Sequence, residues 1–428
     1  MAIVKPFKAM RFSESAGEIG SLVCPPYDII SDAQRASLLS KNEHNLIRLE
    51  LPRGNEPYKE AAKVTKDWLD SGVLFCDEQD GIYVYEEKFT VKGKDYSFKG
   101  FVSLVRLHEF SEGIVLPHEF TLSKAKQDRF NLMTETGCSF SQIYSMYMDP
   151  EKTVSGKIAA LSQRKADISF TDDDGVTHSL WCVYDKADIE FIQNAMRERK
   201  VYIADGHHRY ETALNFARAN SKDFADDSER TNYCMMILVD MENDGLVVFP
   251  THRIIHSLEN FDAKEMLSRC KDYFEICENL DLCDMQPRLD SAAEKGEKAF
   301  AFYSGNGTFT LLTLKDKAIM KELLPSLSEA SQNLDVSVLH NLVLERLFGI
   351  DKENMANQKN LSYTRDIDEA IAAVDEGRAN CAFLINPTLV TEIRDVAAAG
   401  EKMPQKSTYF YPKIITGLVM NKFGEPNA

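Results

Sequence analysis

The sequence predicts a mixed α/β protein of the α+β kind, on three observations. Short apolar runs rich in β-branched and aromatic residues recur along the whole chain, interspersed with longer segments of helical composition. Glycine turns separate many of these runs, and no internal repeat or low-complexity linker intervenes. At 428 residues the chain exceeds one small core, so two or three domains are expected.

Taken in order, residues 1–75 hold Pro25-Pro26-Tyr27-Asp28, whose proline pair fixes an extended turn, and then helical segments ending around Trp68. Ile82–Phe89 and Tyr96–Leu107 read as a hairpin broken at Val91–Asp95. Pro117-His118-Glu119 leads into a helix over 124–136, with Ser123 as its N-cap. Helices are expected over 151–164 and 186–199, with a turn at Asp172–Gly175 between two short strands. Tyr233–Val239 and Leu246–Phe249 read as strands joined by Glu242-Asn243-Asp244-Gly245, whose Asp-Gly is a tight-turn pair. Ala299–Tyr303 and Thr308–Leu314 form a second hairpin signal; 315–376 looks mainly helical; Ala382–Ile385 is a short strand before a helix over 387–396. Trp68 and Trp181 read as core aromatics. Three regions follow: an N-terminal α/β region over 1–107, a core over 108–256 and a C-terminal α/β region over 257–428 that packs on the core.

The formal charge is −17. Phosphate backbones and anionic lipids are held by clustered Lys and Arg, so a general nucleic-acid or membrane-surface binder is disfavoured. No run of about 18 apolar residues predicts a membrane span, and Met1–Pro6 lacks a signal-peptide core. The nine cysteines are scattered, with no Cys-x-x-Cys. A reduced cytoplasmic protein is the expectation.

The segment from Lys200 to Leu214 carries the most chemistry. A buried strand over Val201–Ala204 breaks at Asp205-Gly206 and resumes as a helix. The first N–H groups of a helix lack internal partners, and its dipole places partial positive charge there, so this geometry receives anions. Asp205, His207, His208 and Arg209 load the turn with more charge than a cap requires. Gly206 would let the backbone approach a phosphate, and His208 and Arg209 would neutralise it. Two adjacent histidines point about 100° apart on a helix, which disfavours a two-His metal pair; His208 with Glu211 shares a face but gives too few ligands for zinc. Glu119, beside a rigid proline turn, has the chemistry of a general base. The stretch Gly400–Ser407 imitates a Walker A loop but has Gln405 for the second glycine and Pro404 where an N–H is needed, so a P-loop is rejected. Lys406, Ser407, Thr408 and Lys413 remain a candidate anion-contacting segment, and Pro250-Thr251-His252-Arg253 a second candidate His-Arg pair.

Pro25-Pro26-Tyr27-Asp28, Pro117-His118-Glu119-x-Thr121, Asp128-Arg129, Asp205–Arg209, Pro250–Arg253 and Met403-Pro404-x-Lys406–Lys413 occur in this order. Together they resemble the domain-of-unknown-function 1015 family. The central part is similar to the ParB/sulfiredoxin-like nucleotide-binding fold, whose Gly-x-x-Arg helix start binds nucleotide phosphates. Among such proteins, free-serine kinases carry a Pro-His-Glu turn followed by Asp-Gly-His-His-Arg. The resemblance implies a ParB-like nucleotide-binding core over 108–256, with an insertion at about 137–199.

The catalytic residues it implies are Glu119 as the base toward a hydroxyl, with Asp205 and His208 at the phosphates. Gly206, His207, Arg209, Lys406, Ser407 and Thr408 are then the expected nucleotide-contacting residues, and Asp205 the ligand to Mg2+. The expected activity is a phosphotransferase using ATP or ADP, interconverting L-serine and O-phosphoserine. The alternative is a non-catalytic ParB-like nucleotide-binding or DNA-associated regulator, against which the acidic charge and the lack of a basic run both argue.

Overall fold

The computed structural model describes residues 1–121 and 123–424, the side chains of 123–125 excepted. The chain divides into two compact units, Met1–Pro117 with Thr121–Val247 and Pro412–Ala428, and His118–Phe120 with Val248–Tyr411. Among the described residues no helix is long and apolar enough to cross a membrane, and no disulfide forms.

The first unit is built on a sheet of nine strands among the described residues. Their order is Val115–Leu116, Val201–Asp205, Ile143–Tyr147, Tyr233–Asp240, Lys94–Arg106, Ile82–Val91, Thr177–Val183 and Ile168–Thr171, with Val4–Lys5 pairing onto Lys94–Arg106. The hairpin expected at 82–107 forms, but its strands run two residues further into the turn than expected. Val91 pairs Lys94, and Lys92 and Gly93 turn at φ +49° and +77°, the two positive φ values that a tight right-twisted hairpin demands. Arg106 pairs Tyr233 across the ladder to Tyr233–Asp240, so no boundary falls at 107. The expected insertion at 137–199 supplies three strands of this same sheet, Ile143–Tyr147, Ile168–Thr171 and Thr177–Val183. Ladder bonds between strands remote in sequence leave no trace in local periodicity, which is why neither feature was readable.

The helix His207–Asn220 packs Tyr210, Ala213, Leu214 and Ala217 into the sheet's core beside Ile143, Ile203, Met236 and Leu238. Positions i, i+3, i+4 and i+7 make one apolar stripe, and that stripe fixes where the helix begins. Trp181 belongs to this core and Trp68 to a second one, at 5% and 7% exposure, as expected of both. The helix expected over 124–136 spans Ser123–Thr136; the capping side chain of Ser123 lies outside the described residues.

The second unit carries a six-stranded antiparallel sheet in the order Phe274–Leu280, Phe309–Leu314, Ala299–Tyr303, Cys381–Leu384, His252–Ile255, Leu361–Thr364. Helices Leu282–Glu294 and Ile367–Asp375 supply Met285, Leu289, Ala370 and Ala373 to one core, and Phe302, Phe348 and Phe383 form an aromatic cluster. Leu361–Thr364 is an edge strand inside a stretch expected to be helical. The expected hairpin at 233–249 does not form: the Phe249 N–H donates to the Tyr409 carbonyl at 2.8 Å instead. Gly245 serves close approach in the first unit, since a Cβ there would lie 2.2 Å from the Ser97 carbonyl.

His252 gives the second unit a defined acid sensitivity. Its side chain is 2% exposed, Nδ1 accepts the Ile385 N–H at 3.3 Å, and Nε2 has no partner among the described residues. Burial first, and Arg253 second, push its pKa down to about 4. The unfolded chain therefore takes up a proton near pH 6.5 that the folded unit refuses until about 4. Stability falls as pH drops through this window, by roughly 3 kcal/mol in all. His252→Asn is expected to remove this step from a plot of urea midpoint against pH; an unchanged slope between pH 6.5 and 4 would refute the assignment.

Candidate functional site

Strand Val201–Asp205 leads into the helix His207–Asn220, and the turn between them is Gly206 at φ +94°. Glycine is required there twice over. The left-handed backbone excludes most side chains, and a Cβ would lie 2.9 Å from the Arg209 guanidinium folded over the turn. The expected strand–glycine–helix unit is thus present, with Asp205 as the last strand residue.

Asp205 is one-quarter exposed and held between two cations. Lys413 Nζ lies 3.1 Å from Oδ1 and Arg209 Nη2 lies 3.3 Å from Oδ2. Burial pushes its carboxyl up, but Lys413 and then Arg209 outweigh this, with a contribution from His207, and hold it down at about 2. Arg209 also donates to the Gln142 carbonyl, and Gln142 Nε2 donates to the Ile415 carbonyl at 2.8 Å. The turn is therefore clamped to the tail segment that delivers Lys413. His207 is buried and His208 half-buried. Glu211, weighed as a partner for His208, accepts from Lys126 at 2.6 Å and Thr121 at 2.7 Å.

The other motifs of this unit gather nearby. Arg129 stacks 4.0 Å from the centre of the Tyr27 ring and donates to Asp128 and to the Glu50 carbonyl. Sequence reasoning missed Glu50, because Ile47–Glu50 reads as an ordinary amphipathic turn. Its carboxyl is 1% exposed, accepts from Ser141 at 2.8 Å, and lies 3.5 Å from Arg129. Burial raises its pKa against the pull of Arg129, Ser141 and Arg209. Glu50, Arg129 and Arg209 share a cavity of about 40 Å³, which has room for water and not for a nucleotide.

Glu119, Lys406, Ser407 and Thr408 are brought together in the second unit. The Lys406 N–H donates to Glu119 Oε1 at 3.0 Å, with Lys406 at φ +60°. His118 Nε2 meets Thr408 Oγ1 at 3.1 Å, and the Met403 N–H donates to the His118 carbonyl at 2.7 Å. Ser407 is 3% exposed, its hydroxyl bonded to the Pro404 carbonyl. The Lys406 side chain is exposed. Arg253 joins the same cluster by donating to the Lys406 carbonyl at 3.3 Å.

As a magnesium ligand Asp205 is poorly disposed. Both oxygens are committed to cations, and no group of three His, Cys, Asp or Glu side chains suited to a metal occurs among the described residues. Magnesium needs few carboxylates when phosphates supply the rest, but here its charge would face Lys413 and Arg209 directly.

Fold and turn define an α/β protein with a cation-clamped Gly-x-x-Arg helix start. The chain belongs to the DUF1015 family, described as "Protein of unknown function (DUF1015)", which matches residues 4–337. The tail motif at 403–413 lies beyond that match. Among solved structures the chain is similar to a conserved hypothetical protein from Pyrococcus furiosus, at 16% identity over 71% of this chain and 89% of that one, TM-score 0.34. It is also similar to a free serine kinase in complex with AMP, at 15% identity over 74% and 87%, TM-score 0.35. A third is SbnI with a C-terminal truncation from Staphylococcus aureus, at 9% identity over 75% and 87%, TM-score 0.35. No curated protein matches the chain in sequence.

Proposed function

We propose that the protein is a nucleotide-dependent phosphotransferase acting on a small hydroxylated metabolite, with L-serine and O-phosphoserine the pair that the motif resemblance favours. The observation that carries the reading is the Asp205–Arg209 turn. Its glycine is left-handed, its arginine lies over the backbone, and a lysine from the tail is held at the same carboxylate. A ParB-like Gly-x-x-Arg turn of this kind receives phosphate through helix N–H groups and guanidinium.

On this proposal Arg209, Lys413 and the turn's backbone bind the phosphates of ATP or ADP. Gly206 and His207 shape the turn, His208 holds a proton toward the transferring oxygens, and Asp205 keeps both cations aimed. Lys406 and Thr408 offer further polar contacts. Glu119 takes the proton of the acceptor hydroxyl. Phosphoryl transfer is mostly positioning and charge stabilisation, so these roles are sufficient in kind. Magnesium enters only as the nucleotide's own counterion.

The test is transfer itself. The full chain with ATP and serine should form O-phosphoserine, or with ADP and O-phosphoserine should form ATP, as read by chromatography. Nucleotide binding without transfer to any hydroxylated metabolite would favour the non-catalytic regulator instead.

A further inference from the structure

The Pro250–Arg253 motif has no part in the proposed transfer, yet it holds an unusual charge. Arg253 is 0% exposed. Its donors go to His340 Nε2 at 3.2 Å, to the Thr251 carbonyl and to the Lys406 carbonyl, and its guanidinium faces the Tyr363 ring at 5.4 Å. None of these partners is an acid. A buried cation without a counter-charge is costly, and burial draws its pKa down to about 10.

Two of its partners, His340 and Tyr363, line a pocket of about 700 Å³ in the second unit. Since His340 Nε2 accepts from Arg253, its proton sits on Nδ1, which is then a donor polarised by the guanidinium behind it. His340 is 6% exposed and stands on the π-helix Val338–Leu347, a backbone form concentrated at functional sites. Phe120, Leu324, Leu327 and Met355 give the wall an apolar stretch, beside the polar side chains of Ser331, Ser337, Asn341 and Gln405. Lys352 and Lys402 also line it, and Glu401, the one lining carboxylate among the described residues, is occupied by the Ser328 backbone and the hydroxyls of Ser328 and Ser331.

We infer that this pocket binds an amphipathic carboxylic acid, its carboxylate at the His340–Arg253 pair and its apolar body against Phe120, Leu324, Leu327 and Met355. A pocket of this size suits a drug-sized ligand and far exceeds a free amino acid.

Calorimetry with the full chain and no nucleotide tests the pocket, using 4-phenylbutyrate against its primary amide. The acid is expected to bind at least tenfold more tightly. Phe120 is 55% exposed, so its variants should fold: Phe120→Ala should weaken both ligands several-fold, and Phe120→Asp should weaken the acid tenfold beyond the amide. Equal affinities for acid and amide, no binding of either, or no effect of Phe120→Asp would overturn the inference.

Discussion

Glu119→Gln should lower turnover by about 10² to 10⁴, the range in which a general base contributes, and leave nucleotide affinity unchanged. Glutamine is the informative replacement because the carboxylate has a second task. Its Oε1 accepts the Lys406 N–H at 3.0 Å and so anchors a backbone held at φ +60°. An amide oxygen preserves that bond and removes only the basicity. Glu119→Ala removes both, and should add about 1 kcal/mol of destabilisation from the lost bond. Lys406→Gly in the alanine background should recover part of the stability, since glycine adopts positive φ without strain, and none of the turnover. Steady-state kcat, calorimetric titration with ADP and urea midpoints separate the three effects. Full turnover in Glu119→Gln would remove this residue from the chemistry, and with it the base that the motif resemblance supplies.

The parts that were readable in the sequence are local. Val201–Asp205, Gly206 and the helix from His207 are contiguous, and each declares itself: a β-branched run, a residue free to adopt positive φ, then an apolar stripe at helical spacing. The hairpin at 82–106 is legible for the same reason. What failed needed pairings across long separations. Lys413 reaches Asp205 from 208 positions away and Glu119 meets Lys406 across 287, and no local pattern ranks one lysine of the tail above another. Lys406 was the lysine expected at the nucleotide, yet Lys413 is the one that meets Asp205, and the two belong to different units. Val247–Val248 has the composition of a returning hairpin strand but leaves its neighbour, because strand propensity says nothing about partner. Arg253 was noticed only as half of a His-Arg pair; that its charge meets no acid among the described residues goes with the π-helix that brings His340 to it.

Arg209→Ala should weaken nucleotide binding roughly tenfold to a hundredfold or more, corresponding to the about 1.5–3 kcal/mol of a charge-assisted bond to phosphate. The guanidinium is only 11% exposed and has structural partners of its own. Its loss leaves the Gln142 carbonyl without that donor and Asp205 with Lys413 as its remaining ion-pair partner. Stability should therefore fall as well, and the Asp205 carboxyl should rise from about 2 toward the ordinary range, because one of the two cations holding it down is gone. Since its folded pKa is depressed, the stability it contributes is present above the unfolded value near 4 and is lost as pH falls toward 2; the variant should lose that contribution at higher pH. Arg209→Lys discriminates between charge and shape. Lysine keeps the positive charge near Asp205 but cannot reach the Gln142 carbonyl, the carboxylate and a phosphate with one planar fork. If phosphate recognition needs the fork, Arg209→Lys should bind nucleotide nearly as poorly as alanine while keeping most of the acid resistance. Affinity is read by calorimetry on protein shown to be folded by near-UV circular dichroism. Wild-type affinity in folded Arg209→Ala would mean that the guanidinium only braces the turn, and that phosphates are held elsewhere.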